Sequence, residues 1–292
     1  MKCKICGSSS YIIEYNGLIR EGSVGRCTKD KVEIFKCTEC ETLWHNCGNS
    51  GNYYTSEEYR KSVDGSSLIE DFYKLHDAES LDKFKYCGTE KFRGKVVADI
   101  GCGGGAFLDY INTVAERVIA IEPSEEYQKQ LKKKGIAVYT YAEDALKEWK
   151  EKVDVIVSFD CIEDVDEPEV FLKEAYELLS SHGEAIIGTP TDAPVMRSLL
   201  GEEYDRFLFC IQHPWILGKK SFEVMAKKIG IKNYICKFYQ RYGLGNCLYW
   251  LSNRKPGKHT SYDFISKGVD ELWKYELSRQ ELADYLVFEM KK

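Results

Sequence analysis

The sequence predicts an α/β fold: a doubly wound, mostly parallel sheet, with a small cysteine-paired module in front of it and helices behind. Three observations predict it. Lys95-Val-Val-Ala-Asp99-Ile100 runs directly into Gly101-Cys102-Gly103-Gly104-Gly105 and then Ala106-Phe-Leu-Asp-Tyr-Ile111, which reads as buried strand, glycine turn and helix. From there to Gly188, β-branched runs alternate with amphipathic helices, the pattern of parallel strands joined by crossover helices. Upstream, Cys3-Lys-Ile-Cys6 and Cys37-Thr-Glu-Cys40 make two CxxC pairs.

Composition bounds the rest. The chain has 292 residues, 43% apolar and 30% charged, which supports a sizeable core and excludes disorder as the main reading. No apolar run reaches the roughly 18 residues of a membrane span, and the opening Met1-Lys-Cys-Lys carries no apolar leader core. The expected location is the cytoplasm, with no membrane partner. Against 41 Lys and Arg stand 47 Asp and Glu, a net charge of −6, which weighs against nucleic acid as a partner. Twelve cysteines without an export signal do not suggest a disulfide framework. Cys87, Cys161, Cys210, Cys236 and Cys247 are scattered and are expected as small packed thiols.

The paired cysteines are a different matter. Each CxxC knuckle turns two thiolates toward one point, and Cys3, Cys6, Cys37 and Cys40 together complete a tetrahedral zinc site. Alternation at Tyr11-Ile-Ile-Glu-Tyr15 and Val32-Glu-Ile-Phe35 suits a hairpin that carries the second knuckle, so residues 1–47 read as a zinc-ribbon-like module. Cys27, His45 and Cys47 are spare ligands. A closed four-cysteine site has no open position, which assigns the metal to folding. Residues 48–90 form a polar linker, with Tyr53, Tyr54, Tyr59 and Arg60, and a helical lead-in over 66–86.

The glycine turn opens the main domain, 91–254. Its glycines let the backbone turn sharply and let a ligand approach without a Cβ clash. Gly101-x-Gly103-x-x-Ala106 fits a dinucleotide fingerprint, whereas Gly101-x-Gly103-x-Gly105 fits the S-adenosylmethionine (SAM) version. The second strand, Arg117-Val-Ile-Ala-Ile121, ends in Glu122-Pro123, an acid about 20 residues past the turn and suited to ribose hydroxyls in either cofactor. Asp99 favours SAM, because a strand that delivers pyrophosphate to a helix N-terminus stays apolar there.

VVADIGCGGGAFLDYI, IAIEPSEEY and VDVIVSFDCIEDVDEPEVFLKEAYELLSSHGEAIIGTP resemble the successive motifs of class I SAM-dependent methyltransferases, over about residues 90–252. The resemblance implies a Rossmann-like seven-stranded sheet with an antiparallel last hairpin. The cysteine head resembles a zinc-binding module that precedes some such enzymes, including sugar methyltransferases, and the core is similar to quinone-biosynthesis O-methyltransferases. By resemblance, Asp99, Gly101, Gly103, Glu122 and Pro123 hold the cofactor, Ala142 and Glu143 meet the adenine, and Asp160 or Phe159 offers a carbonyl to the ammonium. The alternative for Glu143 is a plain helix cap.

The fourth strand, residues 153–159, ends at Asp160-Cys-Ile-Glu163-Asp164-Val-Asp166. Ligands in open α/β sheets bind at such strand ends. The family pattern has Glu-His-Val where this chain has Glu163-Asp164-Val165. In related quinone O-methyltransferases this region takes a divalent cation, and the oxygen ligands of Asp160, Glu163 and Asp164 suit magnesium or calcium. The alternative is a solvated acidic loop before a helix. Residues 192–218 read as an insertion after the fifth strand, which by the resemblance builds the acceptor pocket, with Arg197 and Arg206, joined by Lys219 just beyond it, as anion-holding candidates. Residues 234–239 and 247–252 read as the closing strand pair. Residues 255–292 read as a C-terminal helical extension that packs on the domain or makes a homodimer contact.

The expected reaction is methyl transfer from SAM to a small hydroxylated acceptor, a sugar or sugar nucleotide by preference. His213 is the candidate base by its pKa near neutrality, with Asp164 and Glu163 as alternatives. Competing readings are C- or N-methylation, an RNA or protein methyltransferase with the zinc ribbon as reader, a non-enzymatic scaffold, and a dehydrogenase.

Overall fold

The computed structural model describes residues 1–47 and 69–292. The tyrosine-rich stretch with Tyr53, Tyr54, Tyr59 and Arg60 lies outside the described residues.

Two sheets organise the molecule. In the smaller, β1 (Tyr11–Gly17) pairs antiparallel with β2 (Val32–Cys37), and β2 with β3 (Leu43–Trp44). The aromatic faces explain the hairpin: Tyr11, Phe35 and Trp44 stack within 6.0 Å of one another on one side of it. A fourth strand arrives from far along the chain. β9 (Trp215–Ile216), inside the predicted insertion, pairs with β3 through Leu43–Ile216 and Trp44–Trp215. The module is therefore fused to the main domain. Thr42 and Ser221 share a buried hydroxyl hydrogen bond of 2.8 Å.

The larger sheet has seven strands in the order β10 (Asn233–Phe238), β11 (Tyr285–Lys291), β8 (Leu179–Pro190), β7 (Val153–Phe159), β4 (Val96–Ile100), β5 (Arg117–Ile121) and β6 (Ala137–Tyr139). Its parallel part is β4, β5, β6, β7 and β8. Val97, Ala98, Ile119, Ala120, Val155, Ile156 and Val157 are buried, as β-branched and small residues are in a sheet covered on both faces. The covering helices are α1 (Ile69–Cys87), α2 (Ala106–Ile111), α3 (Glu125–Lys133), α4 (Ala142–Trp149) and α5 (Pro168–Leu178). After β8 come α6 (Pro194–Leu200), α7 (Glu202–Leu208) and, beyond β9, α8 (Lys219–Ile229), which leads into β10 (Asn233–Phe238).

Two expectations for the C-terminal part are corrected. Residues 247–252 are not a strand; they lie in helix α9 (Leu244–Asn253). Cys247-Leu-Tyr-Trp-Leu is a short apolar run, and periodicity alone cannot separate strand from helix in such a run. Cys247 and Trp250, three apart, bury one face of the helix. The antiparallel partner of β10 is instead β11 (Tyr285–Lys291), so residues 255–292 are not wholly helical. Tyr285-Leu-Val-Phe-Glu-Met290 slots between β10 and β8, with Leu286, Phe288 and Met290 fully buried. Helix α10 (Lys267–Arg279) precedes it and keeps Val269, Leu272 and Tyr275 exposed.

Candidate functional site

The carboxyl ends of β4, β7 and β8 open into a cavity of about 410 Å³, within the range of small-molecule sites. One end is the glycine turn. Gly101 has φ +78° and donates its N–H to the Ile121 carbonyl at 2.8 Å. A Cβ there would meet the Cys161 Sγ at 2.6 Å, so only glycine fits beside the end of β7. Helix α1 lies over this end, with Phe72, His76, Glu79, Ser80 and Lys83 in the wall and the Tyr73 hydroxyl donating to the Gly104 carbonyl at 2.9 Å.

Glu122 terminates β5 and is 2% exposed. Its carboxylate accepts from the Gly103 N–H and the Ser124 N–H, each at 2.8 Å. It therefore locks the glycine turn to the end of the neighbouring strand. Pro123 follows it into the α3 cap. Asp99, on β4, lines the cavity and is 4% exposed. Burial pushes its carboxyl up to about 7, against the pull of Lys83 and with a further push from Glu122. Ala142 is buried and Glu143 exposed at the start of α4, and neither is in the cavity wall.

Asp160 follows β7 in the left-handed region, φ +55°, a conformation that aspartate tolerates better than most side chains. Its carboxylate meets Lys83 at 2.7 Å and Arg241 at 3.7 Å. Burial opposes its ionisation, but the two cations outweigh burial and hold it at about 2. The expected oxygen cluster is thus rearranged. Asp160 belongs to a cation network, while Glu163 and Asp164 converge with His213, their ligand atoms all within 4.8 Å of one another. His213 Nδ1 and Asp164 Oδ1 are 2.5 Å apart. Glu163 is 1% exposed, accepts from the Thr189 hydroxyl at 2.9 Å, and has its other oxygen buried without a hydrogen-bond partner among the described residues. Burial, then Asp164 and Asp160, push its carboxyl up to about 8. For His213 burial favours the neutral ring, yet the neighbouring Asp164 carboxylate prevails and raises its pKa.

The insertion builds the far end of the cavity: Met196, Tyr204, Phe207 and Leu208 from α6 and α7, facing Trp250 from α9. Phe207 meets the Trp250 ring edge-on at 4.7 Å, and Tyr204 lies 5.1 Å from it. The anion-holding candidates are not brought here. Arg197 is bound by Asp205 and Glu14, Lys219 by Glu281, and Arg206 lies 3.6 Å from Glu202. The cations in the wall are Arg20, Lys83, Arg241 and Lys258. Sequence reading missed them because each comes from a segment remote from the strand ends. Only the basic stretch at 253–260 carried a signal, and it read as a linker.

At the other edge of the molecule the four thiols converge. Cys3 and Cys40 lie 3.6 Å apart and Cys6 and Cys37 3.4 Å, with all four sulfurs within 4.8 Å. A tetrahedron with zinc–sulfur bonds of about 2.3 Å has edges of about 3.8 Å, so the cluster fits the metal. His45 is not a fifth candidate: its Nε2 faces the Cys210 carbonyl at 3.0 Å and its Nδ1 accepts from the Cys47 N–H.

This geometry has counterparts among known proteins. A family model described as a methyltransferase domain matches residues 73–234. The ubiquinone biosynthesis O-methyltransferase of Pelagibacter ubique (strain HTCC1062) is 30% identical over 132 residues, 42% of this chain and 55% of that protein. That of Pseudomonas savastanoi pv. phaseolicola is 26% identical over 143 residues, 46% of this chain and 62% of that protein. The chain thus matches about three-fifths of the length of these relatives. Among solved structures, a SAM-dependent methyltransferase from Archaeoglobus fulgidus superposes with a TM-score of 0.51 at 17% identity, covering 75% of this chain and 94% of that one. The plantazolicin methyltransferase BamL, in complex with a triazolic desmethylPZN analog and SAH, gives 0.51 at 16% identity, covering 82% and 93%. At these identities the likeness is one of fold.

Proposed function

Because this chain belongs to the methyltransferase domain family, we propose that it moves the methyl group of SAM to a hydroxyl of a small, ring-bearing acceptor, with His213 as the proton acceptor. The carrying observation is that His213, paired with Asp164, stands in the wall of the same cavity as the glycine turn. A sulfonium cofactor supplies an activated methyl with a neutral leaving group.

The residues present fit that cofactor. Asp99, Asp160 and Glu163 line the glycine end, where a sulfonium and an ammonium would favour the ionised forms of the buried acids. Gly101 and Gly103 present backbone without side chains, and Glu122, at the end of β5, is assigned to the ribose hydroxyls. Pro123 shapes the turn beside it, and Ala142 and Glu143, one strand further along the same edge, are assigned to the adenine rim. The chain's own part in the reaction is positioning, proton removal and exclusion of water. Asp164 orients the His213 ring through Nδ1 and favours the imidazolium formed as the acceptor hydroxyl gives up its proton. Tyr204, Phe207 and Trp250 offer flat faces to a ring, whether sugar or aromatic.

A second reading for the same three groups has its own support: Glu163, Asp164 and His213 could hold a divalent cation, since one Glu163 oxygen is buried without a hydrogen-bond partner among the described residues. The cation would then polarise the acceptor oxygen. In the front module, Cys3, Cys6, Cys37 and Cys40 are assigned a structural zinc ion.

Titration calorimetry with SAM, S-adenosylhomocysteine (SAH) and NADH tests the reading. The sulfur pair binds and NADH does not. Glu122→Gln weakens SAM about tenfold, equivalent to about 1.4 kcal/mol. His213→Ala lowers kcat with a panel of phenols and sugars by about 10² or more while SAM affinity holds. Absence of SAM binding by folded protein would overturn it. Activity that depends on added magnesium would favour the cation reading over the base.

A further inference from the structure

The charges in the cavity wall do not cancel evenly along it. Lys83 is neutralised by Asp160 and by Glu79 at 3.0 Å, and Arg241 by Asp160 and by Asp284 at 3.6 Å. The other two cations, Arg20 and Lys258, have no carboxylate partner among the described residues, and both lie in the wall of the cavity. Both also lie outside the segment 73–234 that the family model matches.

Arg20 is held as a built feature. It follows β1 in the four-cysteine module, and the module's seating against the insertion carries it into the cavity. Its backbone N–H donates to the Phe209 carbonyl at 2.9 Å, and it bridges both Cys27 and Cys210. Its Nε donates to the Phe207 carbonyl at 3.1 Å and its Nη1 to the Gly22 carbonyl at 3.0 Å. The guanidinium carbon stands 5.4 Å from the centre of the Phe207 ring. Two of the five guanidinium N–H groups fix the plane, and the other three have no partner among the described residues. Lys258 enters from the 253–260 stretch, in the left-handed region at φ +51°, on a loop tied by the Gly257 N–H to Asn246 Oδ1 at 2.8 Å. A fixed fork and a flexible ammonium beside an aromatic platform make a recognition site for an oxyanion.

We infer that the acceptor carries an anionic group, a phosphate or a carboxylate, held by Arg20 with help from Lys258 while its ring lies against Tyr204, Phe207 and Trp250. The inference rests on the methyl-transfer reading for the word acceptor, but the anion subsite stands or falls on its own measurement. It also gives the front module a role at the site: it supplies a specificity residue to the cavity.

The test is calorimetric titration of the full chain, saturated with SAH, with pyrophosphate in one arm and succinate in the other. One of the two binds wild-type protein, and preference between them separates phosphate from carboxylate. Arg20→Gln weakens that binding about tenfold or more, and Arg20→Lys recovers part of it, since charge returns without the fork. Lys258→Gln weakens it about threefold. SAH affinity stays within about twofold throughout. Arg20 also packs on Phe207, so its variants are compared only where circular dichroism shows them folded. Lys258 is exposed and its side chain makes no hydrogen bond or ion pair among the described residues, so Lys258→Gln is a folded variant that tests the subsite independently. If SAH binds and neither anion does, or if Lys258→Gln and every folded Arg20 variant bind the anion like wild type, the inference is overturned and the methyltransferase reading survives. If SAH fails to bind while the anion binds, the reading of the reaction falls and the anion subsite survives.

Discussion

At the scale of single residues, the site is a set of carboxylates driven apart in acidity by their neighbours. Asp160 and Glu163 are three positions apart, yet one is held at about 2 and the other pushed up to about 8. Burial penalises both; Lys83 and Arg241 rescue the charge on Asp160, while Asp164 adds repulsion to Glu163. His213 draws its raised pKa from Asp164, the residue that stands where the family pattern carries histidine. If His213 acts as base, its neutral form is the active one, and activity rises with pH through its folded pKa. Asp164→Asn removes the charge that raises that pKa. The acidic limb of the kcat/KM profile is then expected to move to lower pH, with a fall in kcat, measurable by initial rates across about pH 5 to 9. An unmoved limb would assign the limb to another group. In the sequence His213 stands as a lone histidine and Asp164 as a departure from pattern. Their pairing was not legible there, because 49 positions and four secondary-structure elements separate them.

At the scale of elements, two short pieces carry consequences beyond their length. β9 is two residues long, but it follows His213-Pro214 directly and pairs with β3 of the four-cysteine module, and the His45 N–H donates to the Pro214 carbonyl at 3.3 Å. The module is therefore a support for the histidine as well as the source of Arg20. Metal removal by a strong chelator, or Cys40→Ser, is expected to lower methyl transfer while SAM affinity changes little, since the glycine turn lies on the other sheet. Metal analysis should return one zinc per chain in the active form. Loss of SAM binding in parallel with activity would instead indicate global unfolding. β11 is the second piece. It sits between β10 and β8 with Phe288 stacked on Phe222 at 4.8 Å. Phe288→Ala is expected to cost about 3–5 kcal/mol, read from urea unfolding. A helical extension on the surface would lose far less.

At the scale of the whole molecule, the buried acids couple stability to pH. Asp99 and Glu163 keep their protons in the folded chain up to about 7 and about 8, whereas the unfolded chain releases them near 4. Between those limits the folded state binds more protons, so the free energy of unfolding falls as pH rises. His213 adds the same sign: its raised pKa stabilises below about 6.5 and that stabilisation is lost as pH climbs through the folded value. Asp160 acts oppositely, and its contribution is lost only as pH falls toward about 2. The urea midpoint of the ligand-free protein is therefore expected to be higher at about pH 5.5 than at about pH 8.5, and Glu163→Gln should flatten the difference. A midpoint that rises with pH would contradict the assignment. A cationic cofactor beside the same acids favours their ionised forms, so its binding should release protons near neutral pH.

Local and periodic features were legible in the residues alone. The strand–turn–helix at residues 95–111, the acid at Glu122, the parallel order through β8 and the two CxxC knuckles are all written in contiguous residues, because glycine torsions, β-branched burial and cysteine spacing act within a few positions. Only the tertiary structure decided which distant segments share a surface. It turned 247–252 into a helix and made 285–291 a strand, since helix and strand differ for short apolar runs only in the surface available to bury them. It separated Asp160 from Glu163 and joined His213 to Asp164. And it carried Arg20 into the cavity through its contacts with Phe207, Phe209 and Cys210 of the insertion. Pairwise contacts across long separations are fixed by packing of the whole core, and no short window of sequence contains that information.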